Sequence, residues 1–118
     1  MGKNKGYVSI YRDLQEHYLW RDRPFAKGQA WIDLIMLANY TEVKDLKDGM
    51  LCAYEKGTVY RSISELATRW GWDRRKVKRF LMALKSDGML SVNSTTQGTT
   101  LTIVNYGFYQ HNGTTNGT

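Results

Sequence analysis

The sequence predicts an α+β fold in which helices come first and a small antiparallel sheet closes the chain. Three observations carry this. Apolar residues recur with a helical period as far as Gly88 and alternate as in a strand after it. Two helical stretches between Ser62 and Gly88 are bracketed by start and stop residues and separated by a short turn at Gly71. The second of them opens on Arg74-Arg75-Lys76-Val77-Lys78-Arg79, five cations in six residues.

Taken in order, Ser9 can cap a first, extra helix whose apolar positions Tyr11, Leu14 and Tyr18 fall at i, i+3 and i+7. Arg21-Asp22-Arg23-Pro24-Phe25 breaks that pattern and reads as a loop. Residues 27–39 form the most apolar helix, with Trp31, Leu34, Ile35 and Ala38 on one face and Ile32, Met36 and Leu37 off it. That distribution predicts a central helix covered on most sides. Residues 41–49 read as a polar connection. Met50–Tyr54 and Thr58–Arg61, joined by Glu55-Lys56-Gly57, have the spacing of a hairpin.

The next two helices carry the densest local signals. Ser62 and Glu65 have capping-box spacing, and Leu66, Ala67 and Trp70 supply an inward face. Gly71 suits a turn position with positive φ. Asp73 is a good N-cap for the following helix, and Trp72 can pack on Val77 as a hydrophobic staple. Val77, Phe80, Leu81 and Leu84 make its core stripe, and Gly88 stands where a C-terminal glycine belongs. Helices 63–70 and 74–87 are expected. After Gly88, Leu90 and Val92 alternate with polar residues, as do Leu101 and Ile103, with the turn at Asn93–Gly98. Strands are therefore expected at 89–93 and 99–104, with 58–61 as a third member of the sheet. A helix pair of this layout followed by a hairpin is a winged helix-turn-helix: a three-helix core, a small antiparallel sheet, and here an extra N-terminal helix and hairpin.

Charge separates the two halves. Residues 1–60 hold nine Lys/Arg against eight Asp/Glu, a net +1. Residues 61–118 hold eight against three, a net +5, and no Asp, Glu, Lys or Arg follows Asp87. The helix macrodipole disfavours cations in a first turn, by roughly 0.3–1 kcal/mol each when exposed. A rule broken that consistently marks function, and focused positive charge is the footprint of a phosphate-binding face. At about 100° per residue, Arg75, Arg79, Met82 and Ser86 point away from the core stripe, with Lys78 and Lys76 on the shoulders. Arg75, Lys78 and Arg79 are therefore the expected groove contacts, and Arg74 and Lys76 the phosphate contacts. Arg74, near the stripe's edge, could equally snorkel. Met82 is placed to meet a thymine methyl or a partner. Ser64, in the preceding helix, completes the candidates there. The hairpin offers Ser94, Thr95, Thr96 and Gln97, which either hydrogen-bond to DNA or simply form the turn. The expected partner is double-stranded DNA.

With 118 residues, 42% hydrophobic, the chain suffices for one core and one domain, residues 1–110. Residues 111–118 read as a polar linker or disordered tail of the kind that leads into another domain. The longest apolar run, Ile32–Ala38, is broken by Asp33 and is far short of the roughly 18–20 residues that cross a bilayer. No apolar secretion segment follows the polar N-terminus, and the single cysteine, Cys52, allows no internal disulfide. A cytoplasmic, non-membrane protein is the simplest expectation.

The segments Tyr18-Leu19-Trp20-Arg21-Asp22-Arg23-Pro24-Phe25, Lys27-Gly28-Gln29-Ala30-Trp31-Ile32-Asp33-Leu34, Arg69-Trp70-Gly71-Trp72 and Leu101-Thr102-Ile103-Val104-Asn105-Tyr106 resemble the N-terminal winged-helix domain of phage replisome organisers and DnaD-like replication proteins. The resemblance covers most of residues 7–110. It implies a domain that binds a replication origin and self-associates. A linker and a second domain that engages the helicase-loading machinery commonly follow in that family, and nothing here matches that second domain. A hairpin without Lys or Arg departs from the commonest DNA-binding wing.

Enzymatic readings have little support. His17 and His111 are the only histidines. Asp13 and His17 at i, i+4 supply two ligands, too few for a metal site, and an exposed ion pair is the expected arrangement. No phosphate loop, nucleophile motif or Cys/His cluster is present, so no catalytic residue, cofactor or metal is expected. Besides an origin binder, a transcriptional repressor of the same fold and a winged helix used for protein interaction stay open. Self-association is expected from Tyr7, Tyr11, Tyr18, Trp20 and Tyr54, which lie outside a minimal winged helix and serve either an interface or the core.

Overall fold

The computed structural model describes residues 8–95 and 98–109. A short 3-10 helix at Arg12–Glu16 precedes α1 (Lys27–Leu37), β1 (Val43–Lys47), β2 (Met50–Tyr54), β3 (Thr58–Val59), α2 (Ile63–Trp70), α3 (Arg74–Ser86), β4 (Leu90–Thr95), β5 (Gly98–Ile103) and a final single turn, α4 (Tyr106–Tyr109). This α+β order, three helices and small antiparallel sheets, is compatible with a winged helix.

The sheets follow the period of their sequence. β4 pairs with β5 from Leu90↔Ile103 to Thr95↔Gly98, and β3 adds to the other edge of β5 through Val59↔Leu101. Directly opposed residues share a face, so Leu90, Val92, Leu101, Ile103 and Val59 line one side. All but the half-buried Val92 are buried there, on a core built from Leu34, Leu66, Trp70, Val77 and Leu81. α1 is covered on most sides, as its composition predicts: Ala30, Trp31, Leu34 and Met36 are buried, and Ile32, Ile35 and Leu37 are half-buried against the same core. Among the described residues, no helix is long and apolar enough to cross a membrane.

Two expected elements take other forms. The N-terminal helix is reduced to the 3-10 stretch, with Tyr11 and Tyr18 exposed and Leu14 alone of the expected stripe packing on the core. An isolated helix that short is marginal in water, and polar anchors hold the segment instead: Arg12 Nε donates to Met36 O at 3.1 Å and Arg12 Nη2 to the Tyr106 hydroxyl at 3.1 Å. The expected Asp13–His17 ion pair is not formed among the described residues, and His17 Nδ1 instead accepts the Leu19 N–H at 3.1 Å.

The hairpin is also differently composed. β2 pairs with β1, inside the stretch expected to be a polar connection, through a two-residue turn at Asp48 and Gly49 with φ of 53° and 76°. Positive φ at both positions is the I′ geometry that matches strand twist. Residues 55–57 serve another end. The Gly57 N–H bonds to Asn39 O at 2.7 Å and its carbonyl accepts Ile103 N at 2.9 Å, which seats β3 beside β5.

Candidate nucleic-acid interface

The helix pair is fixed by its ends. The Ser62 hydroxyl accepts Glu65 N–H at 3.0 Å and Glu65 Oε1 accepts Ser62 N–H at 2.8 Å, so the expected capping box is present. The Ser62 amide, and after it the Ser62 hydroxyl, interact with the Glu65 carboxylate and hold that carboxyl below its ordinary range. Gly71 closes α2 at φ 72°, ψ 32°, and the Trp72 N–H reaches back to Ala67 O at 3.0 Å. Asp73 Oδ1 then accepts the Lys76 N–H at 2.7 Å, capping α3. At the far end Gly88 has φ 76°, and Met89 and Gly88 donate to Leu84 O and Lys85 O, a Schellman stop.

Behind α3 lies an aromatic block. Trp70, Trp72 and Phe80 meet edge-on, with centroids 5.0, 5.3 and 5.8 Å apart, the arrangement favoured by ring quadrupoles. Trp72 and Val77 are both buried there. A buried carboxylate ties this block to α1. Asp33 accepts Arg69 Nε at 2.6 Å, Arg69 Nη2 at 2.9 Å and Trp70 Nε1 at 2.8 Å from α2, and Gln15 Nε2 at 3.0 Å and Trp20 Nε1 at 3.3 Å from the N-terminal segment. Burial raises the Asp33 carboxyl, but the bonds from Arg69, Trp70 and Gln15 and the charge of Arg69 outweigh it and hold the group below its ordinary value. Arg69 is thereby engaged inward, and Trp20 is a core residue rather than surplus surface.

The outer side of α3 is different. Arg74, Arg75, Lys78, Arg79 and Met82 are exposed, and none of these four cations is ion-paired among the described residues, where Arg69 pairs with Asp33. These four cations, and Lys85 in the last turn of α3, thus face solvent without a carboxylate partner among the described residues. Lys76 is half-buried, its ammonium 4.4 Å above the Trp72 ring, a cation–π contact. Capping of both ends and a buried inner stripe give these charges a rigid support. Opposed phosphates could be met without reorganising the helix, the arrangement that wastes least ordering entropy on binding.

The remaining candidates are dispersed. Ser64 is exposed in the first turn of α2, and Ser94 is exposed on β4. Thr95 ends β4, while Thr96 and Gln97 lie outside the described residues, as does the expected tail at 111–118. Asp33 escaped the sequence reading as a structural centre, although it appears there as the one charge interrupting the longest apolar run. Among the described residues, no group of three or more His, Cys, Asp or Glu could hold a metal. No protein-family model matches the chain, and no curated protein or solved structure matches it.

Proposed function

We propose that this chain is a winged helix-turn-helix domain that binds double-stranded DNA sequence-specifically through α3, at a replication origin during initiation of phage- or plasmid-type DNA replication. The observation that carries DNA binding is the set of uncompensated cations Arg74, Arg75, Lys78 and Arg79 on the outer face of a helix capped at both ends. In this reading Arg75, Lys78 and Arg79 enter the major groove, Arg74 and Lys76 contact phosphate, and the β4–β5 hairpin is the wing. The replication role is supported by the resemblance of residues 18–25, 27–34, 69–72 and 101–106 to phage replisome organisers and DnaD-like proteins. Contact with helicase-loading machinery would belong to a domain outside these residues.

The test is duplex binding over a salt titration, with fragments of the protein's own replication module set against promoter fragments. Replacing Arg75, Lys78 and Arg79 together with Ala should leave the fold intact and abolish binding at moderate salt. Each lost phosphate contact should flatten the log K against log salt slope by about 0.9, and each lost base contact should cost about 1–3 kcal/mol and relax specificity. Binding by the triple variant equal to wild type would remove α3 as the DNA-reading element. Preference for promoter over origin fragments would favour a repressor.

A further inference from the structure

The loop Arg21–Ala26 lies against the turn that opens α3. A Cβ placed on Gly71 would stand 3.2 Å from Arg23 Cβ, 3.3 Å from Pro24 Cα and 3.4 Å from Arg23 Cδ, so the Arg23 stem runs along the bare backbone of that turn. Phe25 seals the contact from both ends of its peptide: its N–H donates to Trp70 O and its carbonyl accepts Trp72 Nε1, each at 2.8 Å. Two cations then sit on linked rings. The Arg23 guanidinium carbon is 4.5 Å from the Phe25 centroid, and Lys76 Nζ of α3 is 4.4 Å from that of Trp72. Arg21 and Arg23 are exposed, and neither is paired with a carboxylate among the described residues.

We propose that Arg21 and Arg23 form a second DNA-contacting element, gripping the phosphate backbone that borders the groove α3 enters. The inference rests on the DNA-binding reading above and adds a site to it. A guanidinium supported on an aromatic face loses less freedom on docking than one on a free stem. The loop flanks α3 rather than extending it, so base edges belong to α3 and the backbone to the loop. The β4–β5 hairpin itself carries no Asp, Glu, Lys or Arg, and the loop supplies a cationic hold that the hairpin lacks.

The experiment uses the full chain with its specific duplex and a random duplex, titrated from 50 to 200 mM salt (about the range over which such contacts are resolved). Arg21→Ala/Arg23→Ala should flatten the slope of log K against log salt by about 1.8, two contacts at about 0.9 each, and weaken both duplexes alike by about tenfold per contact near 0.1 M salt. Arg21→Lys/Arg23→Lys should keep most of the slope. Arg21→Ala alone leaves the Arg23 packing untouched and should flatten the slope by about 0.9 with an unchanged unfolding midpoint. A wild-type slope in both alanine variants overturns the inference while leaving α3 in place. Loss confined to the specific duplex overturns the backbone assignment. Absence of salt-dependent duplex binding by the wild-type chain overturns the inference together with the reading it rests on.

Discussion

Arg69 and Asp33, thirty-six residues apart, meet in a two-pronged bond with Nε on Oδ2 at 2.6 Å and Nη2 on Oδ1 at 2.9 Å. The carboxylate is fully buried and the guanidinium is not, its side chain retaining 27% exposure. The pair therefore works as a clasp between α1 and α2, with both indole donors and Gln15 filling the remaining acceptor positions. Among the described residues, no buried side-chain polar atom is left without a partner.

That clasp makes stability pH-dependent in acid. The Asp33 carboxyl titrates below its ordinary 3.8 when folded, so the unfolded chain binds the proton more readily. The associated stability is fully present above the unfolded value and is lost as pH falls through the lowered folded value. Asp33→Asn should cost about 3–5 kcal/mol at pH 7, the usual loss when one partner of a buried pair is removed. The wild-type advantage should shrink below about pH 4. Urea unfolding of both proteins across pH 2–7 (about the window of carboxylate titration) checks this, and a pH-independent difference would show that Asp33 is not the titrating group.

Gly71 and Gly28 should respond in opposite directions to alanine. Gly71 combines φ of +72° with neighbours at 3.2–3.4 Å, and Gly28 lies in α1 with nothing within 4 Å of a new Cβ. Gly71→Ala should destabilise by at least about 1–2 kcal/mol, and Gly28→Ala should stabilise by up to about 0.5–1 kcal/mol. Chemical denaturation at neutral pH gives both values.

Self-association is expected at the β1–β2 hairpin. Leu46 and Leu51 stand opposite each other, each 70% exposed, on a sheet of only two strands. Such a ribbon is marginal without further cover, and a second copy is the proposed cover. Leu46→Lys/Leu51→Lys should shift sedimentation toward monomer and spare the unfolding midpoint of the core. A wild-type chain that stays monomeric at high concentration, with and without DNA, would rule this out.

Changes in the wing should be mild. Thr95→Ala and Gln97→Ala remove no charge and release no counterions, so the salt slope of DNA binding should be unchanged within error and affinity reduced far less than by the α3 triple variant. A fall in slope comparable to that of Arg75→Ala would assign the wing a role its composition does not suggest.

Legibility from sequence tracked how local each determinant is. α2 appears at 63–70 as expected and α3 ends one residue early, because Ser62, Glu65, Gly71, Asp73 and Gly88 act within a turn of themselves. The strands of the main sheet shift by a residue or two for the same reason, the alternation being clear and the ends soft. β1 was missed because Val43–Lys47 carries only two apolar residues among charges. The Asp48-Gly49 pair was nevertheless a hairpin signal in plain view. The N-terminal segment failed differently. Its apolar spacing is helical, but tertiary bonds from Arg12, Gln15 and Trp20 decide its path. No window of neighbouring residues reveals that Asp33 gathers donors from two segments distant from it in sequence.

The hairpin β4–β5, bare of charge, gives the molecule an electrical lopsidedness. Its positive charge is concentrated on α3, and the hairpin that follows α3 offers a passing polyanion no charge to attract or repel. A body charged in this way experiences a torque as well as a pull in the field of a duplex, so it turns before it arrives. Orientation then becomes part of the encounter rather than a search after it. Added salt would shorten the range of that alignment to about a Debye length, roughly 8–10 Å at physiological ionic strength, leaving the molecule to find its facing by rotation alone.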